Sequence, residues 1–201
     1  RCKFVKIGKN CEIREFVTIN SSCGEGSTVE VGDECLIMAY CHIAHHCKIG
    51  NHVIMANGAM LAGHVEIEDY ANIGGMTPVH QFVRIGAYAM VGGLSRITND
   101  IPPYTLGAGI PYRLAGLNLI GLKRHNFSLE LRKSLTKAFK LTYRSGIQFA
   151  EALQRVESEV KKSPVINHWV DFCKTSKRGL IGLQPTGVAD ELPGIKDFLE
   201  E

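Results

Sequence analysis

The sequence predicts a mainly β protein: a parallel β-helix of six-residue repeats followed by a small α-helical domain. Three observations predict it. An aliphatic position recurs every six residues over roughly ninety residues. A column of small or β-branched residues runs two positions ahead of it. After Ile97 the apolar spacing changes to that of helices.

The aliphatic column runs Ile7, Ile13, Ile19, Glu25, Val31, Ile37, Ile43, Ile49, Met55, Leu61, Ile67, Ile73, Val79, Ile85, Val91, Ile97. Fifteen of these sixteen positions are aliphatic or Met, where a 45% hydrophobic composition would place about half. The exception, Glu25, lies in Ser21-Ser22-Cys23-Gly24-Glu25-Gly26-Ser27, which reads as a loop excursion. The small-residue column includes Val5, Cys11, Val17, Cys23, Val29, Cys35, Cys41, Cys47, Val53, Ala59, Val65 and Ala71. A helical period of 3.6 cannot generate this pattern, and simple strand alternation would not hold one phase for so long. Each hexad is one short strand plus a turn, and three hexads make a triangular coil of about 18 residues. Stacked coils bury a continuous aliphatic column.

Five of the seven cysteines, Cys11, Cys23, Cys35, Cys41 and Cys47, share the small-residue column. They read as compact core thiols. No CxxC pair suggests zinc, and a reducing compartment fits.

Asp100-Ile101-Pro102-Pro103-Tyr104 breaks the repeat. The solenoid is assigned to 1–105 and a connecting segment to 106–125. A helical domain follows over 126–181. There, Leu131, Leu135, Ala138 and Phe139 form one helical stripe between a Ser128 cap and a Gly146 stop. A second helix carries Phe149, Leu153, Val156 and Val160, and a third, after Pro164, carries Val165, Trp169 and Phe172. Residues 182–201 read as a loose tail.

The net charge of +3 gives no reason to expect nucleic acid, and no apolar run is long enough to cross a membrane. Residues 121–180 carry thirteen Lys and Arg against five Asp and Glu. This is either a set of solvated helix faces or a docking face for an acidic partner. The chain begins with Arg1, and we expect further chain upstream.

Five of eight histidines fall within 23 residues: His42, His45, His46, His52 and His64, with His80 beyond. A coil of 18 residues stacks His45, Gly63 and Gln81 in one column and His46 with His64 in the next. These histidines lie outside both inward columns, so they can face outward. An outward His is a candidate general base near neutrality. A neighbouring Gly offers an unobstructed N–H to an oxyanion. A stacked polar ladder without a role and a catalytic zinc held by three His remain alternatives. For His52 and His168 a plain surface role is expected.

Several motifs occur in order: His42-Ile43-Ala44-His45, Leu61-Ala62-Gly63-His64-Val65, Ile73-Gly74-Gly75-Met76, Val79-His80-Gln81-Phe82, Met90-Val91-Gly92-Gly93, Asp100-Ile101-Pro102-Pro103-Tyr104 and Gly121-Leu122-Lys123-Arg124. Together they resemble the acyl-carrier-protein–UDP-N-acetylglucosamine O-acyltransferases of the first step of lipid A biosynthesis, over residues 5–180. The resemblance implies a left-handed β-helix and a cytoplasmic homotrimer with active sites between subunits. It implies transfer of a 3-hydroxyacyl chain from acyl carrier protein to the 3-hydroxyl of UDP-N-acetylglucosamine. It implies no metal and no cofactor beyond the phosphopantetheine that carries the acyl group. His45 matches the general base and Gly63 the oxyanion donor. His42, His64, His80 and Gln81 match polar residues lining the cleft, and His46 is grouped with them as substrate-binding. Gly93 matches the position that limits chain length, and Asn118 and Arg124 match nucleotide contacts.

The sequence departs from the family pattern in places. His46 stands where many members have Asp, Asn20 where some have His, and Ile120 and His125 where some have polar or basic residues. Pro111 also differs, and the family's first coils have no counterpart here. Rival readings are acylation of a 3-amino sugar nucleotide or a related N-acyltransferase, a zinc hydratase, and a non-catalytic scaffold.

Overall fold

The computed structural model describes residues 3–22 and 24–183. Its first part is a three-faced parallel β-helix. One face stacks Phe4–Ile7, Thr28–Val31, Lys48–Ile49, Glu66–Ile67 and Arg84–Ile85. The second stacks Glu12–Ile13, Leu36–Ile37, Ile54–Met55, Asn72–Ile73 and Met90–Val91. The third stacks Thr18–Ile19, His42–Ile43, Met60–Leu61 and Pro78–Val79.

Register confirms the coil length. Lys48 pairs with Glu66 and Glu66 with Arg84, steps of 18 residues. Between the first two coils the step is 24, as in Glu12 to Leu36 and Thr18 to His42. The six extra residues form the excursion read around Glu25. Because the insert is one repeat long, the six-residue phase resumes unshifted beyond it.

Both inward columns are buried from Val29 onward. Ile37, Ile43, Met55, Leu61, Ile73, Ile85 and Ile97 are among the largest fully buried side chains. The cysteines show why a thiol suits the small column. Cys35, Cys41 and Cys47 donate S–H to the carbonyls of Gly50, Ala56 and Ala62, at 3.1, 3.1 and 3.2 Å. Each thus fills a small space and satisfies a turn carbonyl in the next coil. Cys11 corrects the expectation of a core thiol: it is only half-buried, since among the described residues nothing stacks below the first coil. Ile7 and Ile13 are exposed for the same reason. Cys23 lies outside the described residues.

A third period-six column escaped the sequence reading. Asn10, Phe16, Glu34, Tyr40, His46, His52, His64, Tyr70, Met76, Phe82, Tyr88 and Leu94 all have φ between 52° and 64°. They are the corner residues, turned into the left-handed region to bend the chain from one face to the next. Their side chains stack up the corners: His52 on Tyr70 and Tyr70 on Tyr88, with centroids 4.4 and 4.8 Å apart.

The segment 106–125 is more than a connection. Thr105–Ala108 extends the second face beside Met90–Val91, and Arg113–Leu117 folds back antiparallel to it. Helix α1 (Leu119–Arg124) follows, which the sequence reading did not foresee. Helix α2 (Leu129–Arg144) starts where expected, with Ser128 Oγ accepting from Leu131 N at 3.2 Å. Gly146, at φ 72°, ends that helical segment. Helices α3 (Phe149–Glu159) and α4 (Pro164–Thr175) complete the domain around buried Leu135, Phe139, Leu153, Val156 and Trp169. Of the expected tail, Leu183 bridges to Leu114, and residues 184–201 lie outside the described residues.

Candidate active site

The corner between the third and first faces holds the histidine cluster. His45 and His46 follow the strand His42–Ile43, and Gly63 and His64 follow Met60–Leu61 one coil on. The expected stacking is present. His46 lies on His64 with centroids 4.4 Å apart and planes 8° apart, and Phe82 continues the stack at 4.6 Å. His45 stands edge-on to both, at 5.2 Å from each.

Two hydrogen bonds fix the pair. His45 Nδ1 meets His46 Nδ1 at 3.0 Å, so one of these nitrogens carries a proton and the other accepts it. The His46 backbone N–H donates to Ser22 Oγ at 2.9 Å. Ser22 is buried at the root of the six-residue excursion, so the insert braces the corner that carries His46. Sequence reasoning missed Ser22, because only the 24-residue step places it under His46.

Gly63 lies directly against the ring of His45. A Cβ built there would fall 2.4 Å from Cε1 and 2.7 Å from Nε2, so any side chain at this position displaces the His45 ring. Glycine here lets the His45 ring keep its position. The Gly63 carbonyl accepts from Phe82 N at 3.1 Å, while its N–H has no hydrogen-bond acceptor among the described residues. A buried donor left over in this way is available to a ligand.

Burial in the stack lowers the His64 pKa from its usual value, helped by the nearby His46 and His45. His42 sits on the third face with Nδ1 2.7 Å from Thr18 Oγ1. His80 is exposed, its Nδ1 3.2 Å from the carbonyl of Gln81, which follows His45 and Gly63 in their column.

The remaining expected residues lie at other corners. Gly93 is exposed between the second and third faces, where an added Cβ would come 3.2 Å from the Gly75 carbonyl. Asn118 caps α1 near the corner between the first and second faces. Its Oδ1 accepts from Gly121 N at 3.0 Å and its Nδ2 donates to the Tyr88 carbonyl at 3.0 Å. Those bonds fix the start of α1, and Arg124 stands exposed in the last turn of the same helix. His125 packs edge-on against Tyr70 and Tyr88. One chain therefore carries the histidines, Gly93 and the Asn118–Arg124 pair at three separate corners.

Residues 100–181 match the second domain of the UDP-N-acetylglucosamine O-acyltransferases, and residues 28–63 match the bacterial transferase hexapeptide repeat. The chain is 41% identical to the UDP-N-acetylglucosamine acyltransferase of Campylobacter jejuni, with a TM-score of 0.84 over 90% of this chain and 71% of that one. The chain belongs to this family. Its fold is accordingly a left-handed parallel β-helix with a helical C-terminal part. The Francisella novicida enzyme superposes with a TM-score of 0.85 at 36% identity, covering 92% of this chain and 68% of that one. A Chlamydia caviae protein named acyl-[acyl-carrier-protein]–UDP-N-acetylglucosamine O-acyltransferase is 56% identical over 178 residues. That match covers 88% of this chain and 64% of the relative's length.

His168, expected to be a plain surface residue, is not one. Its Nε2 lies 2.9 Å from Glu68 Oε2 and its Nδ1 2.8 Å from the Tyr104 hydroxyl. It ties α4 to the solenoid. Nearby, Arg84 stacks on Phe172 at 4.3 Å and donates to Thr175 at 3.0 Å. No sequence signal links residues this far apart.

Proposed function

We propose that the protein transfers a 3-hydroxyacyl chain from acyl carrier protein to the 3-hydroxyl of UDP-N-acetylglucosamine, the first step of lipid A biosynthesis. The observation that carries this reading is the His45 ring packed against Gly63, a glycine whose N–H has no acceptor among the described residues, with the ring's Nδ1 3.0 Å from His46 Nδ1. The relatives bear the name of that activity.

In the catalytic state the His45 Nδ1–H donates to His46, which leaves Nε2 as the base. Nε2 takes the proton of the sugar 3-hydroxyl as the oxygen attacks the thioester carbonyl carbon. The carbonyl oxygen becomes an oxyanion, and the Gly63 N–H stabilises it. Collapse breaks the carbon–sulfur bond, and the His45 imidazolium returns its proton to the pantetheine thiolate. The protein supplies no covalent nucleophile and no cofactor. The thiols of Cys35, Cys41 and Cys47 point into the solenoid and bond to carbonyls, so they are poor candidates for a covalent step.

A homotrimer fits the division of the expected site among three corners. A three-fold assembly can bring the histidine corner of one subunit against another corner of its neighbour. The exposed apolar ridge of Phe16, Tyr40, Met76 and Leu94, each more than half exposed, supports burial against a second copy. His42, His80 and Gln81 would line the sugar and pantetheine cleft, and Asn118 and Arg124 would meet the diphosphate side. A groove of about 440 Å³ lined by Lys133, Lys137, Lys140 and Arg144 on α2 suits the acidic carrier. No described helix is long and apolar enough to cross a membrane. The free thiols of Cys35, Cys41 and Cys47 suit a reducing compartment, and we place the enzyme in the cytoplasm.

The test is acyl transfer by the full-length protein from 3-hydroxyacyl carrier proteins of several lengths, wild type against His45→Ala. A fall of roughly 10²–10⁴ in kcat supports the base assignment. The preferred donor length reports on Gly93. Transfer unaffected by the substitution sinks it, and a folded trimer inert with every donor points to a 3-amino sugar acceptor.

A further inference from the structure

We infer that His45, His46 and His64 form a binding site for one divalent transition-metal ion, with Zn²⁺ the best match, and that metal binding switches the acyl-transfer site off. The sequence reading favoured no metal, since no acidic or water-positioning residue accompanies the cluster, and kept zinc held by three His as an alternative. One ring nitrogen from each residue lies within 4.8 Å of the corresponding nitrogen of the other two. In a tetrahedral zinc site, with Zn–N near 2.0–2.1 Å, ligand nitrogens stand about 3.4 Å apart. The set must therefore contract by roughly 1.5 Å at most, within reach of side-chain rotation.

The scaffold favours this contraction. The backbones of His46 and His64 are fixed at corners with φ 59° and 61°. His64 N–H donates to the His45 carbonyl at 3.0 Å, tying the two coils together at the site. Only the imidazoles need move: the 8° stack of His46 on His64 opens, and the Nδ1 contact between His45 and His46 gives way to the ion. Neutral imidazoles suit zinc, copper or nickel and do not suit magnesium or calcium. The adjacent thiol of Cys47 is bonded to the Ala62 carbonyl inside the solenoid, so the ligand set is nitrogen only. Three protein ligands leave the fourth position to water.

The metal site rests on this geometry alone. Its consequence rests on the acyl-transfer reading: an ion held by His45 removes the base from the sugar hydroxyl. His46 is what makes the cluster three imidazoles.

The experiment uses the full-length protein with Zn²⁺ as the probe. Competition against a chromophoric chelator should give one Zn²⁺ per chain, with affinity falling at least tenfold in His46→Ala and in His64→Ala. His52→Ala, at a neighbouring corner, should leave it unchanged. X-ray absorption of the zinc-loaded wild type, which needs no variant to fold, should show imidazole nitrogens near 2.0 Å and no sulfur near 2.3 Å. Sulfur ligation, no saturable binding, or affinity indifferent to both variants would overturn the site. Parallel assays separate the two readings. Zinc that binds here but leaves acyl transfer intact removes His45 from the base role while the metal site stands. Transfer that depends on His45 in a protein that binds no zinc does the reverse.

Discussion

The imidazole of His45 packs against Gly63, so closely that a Cβ there would fall 2.4 Å from its Cε1 unless the ring moved. The proposed base and the proposed oxyanion donor thereby stand in one column, one coil apart. A methyl group at Gly63 must push the His45 ring aside and crowd the N–H beside it. We expect Gly63→Ala to lower kcat by roughly 10²–10³, the scale of losing one oxyanion donor, while the thermal midpoint moves little. Steady-state kinetics beside a melting curve checks this. An alanine variant with normal kcat would mean the ring is not where the chemistry happens.

This column was legible in the sequence because the solenoid turns spacing into position. Once Ile7 to Ile97 set a coil of 18, His45 had to stack with Gly63 and His46 with His64. The excursion around Glu25 was legible for the same reason, since its insert preserves phase. The corner column was equally periodic but chemically mixed: His, Tyr, Phe, Glu and Met share a backbone angle and no side-chain property. Hydrophobic counting passes over such a column. Ser22 and the contacts of His168 depend on where an insert and a helix fall in space, which no local period encodes. Helix α1 is only six residues long, too short to establish a stripe.

His46 is a positioning residue in this scheme. Its Nδ1 stands 3.0 Å from His45 Nδ1 and, in the proposed tautomer, accepts the proton that His45 holds to present Nε2 as base. His46→Ala removes that acceptor and should cut kcat by at least about tenfold with little change in KM for the sugar nucleotide. Asp at the same place offers an acceptor oxygen, so His46→Asp should restore most of the rate. A merely structural role would be read differently: Ala and Asp variants would both lose stability, and neither would separate kcat from KM.

The α2 groove should govern the carrier protein rather than the sugar. Lys140 and Arg144 line it, and Lys137 already contacts Glu159, with Nζ 2.7 Å from its carbonyl and 3.5 Å from its carboxylate. Charge reversal at Lys140 and Arg144 should raise KM for acyl carrier protein, increasingly so at low salt, and leave kcat near wild type. An unchanged KM would return this basic excess to ordinary solvated helix faces.

The interior thiols make a prediction about alkaline pH. Burial pushes the Cys35 and Cys47 pKa values up to about 11, from an ordinary value of 9.0. At pH 8 roughly one thiol in a thousand is ionised at such a value, so both should resist alkylation in the folded protein. Half-buried Cys11 should react first among the described cysteines. The sign for stability follows. Above about pH 9 the unfolded chain releases these protons while the folded chain keeps them up to about pH 11. Stability therefore falls through that window. Melting curves from pH 8 to 11 should show the decline, shallower in Cys47→Ala than in wild type. A slope indifferent to that substitution would assign the decline to other groups.

His168 offers the last test, on the union of helix and solenoid. Its ring joins Tyr104 and Glu68 at 2.8 and 2.9 Å, and Glu68 Oε2 also accepts from Ala87 N at 2.8 Å. Burial drives the Tyr104 pKa well above its usual value, so this hydroxyl stays protonated and donates to Nδ1. Removing the ring leaves a largely buried hydroxyl without its acceptor. We expect His168→Ala to cost about 1–3 kcal/mol, the scale of an unsatisfied buried polar group. In a chain of this size that lowers the melting temperature by roughly 2–4 °C per kcal/mol. His168→Ala combined with Tyr104→Phe removes the orphaned hydroxyl as well, and should recover part of the loss. A double variant that loses the sum of two independent penalties would show that the two side chains do not act as a pair.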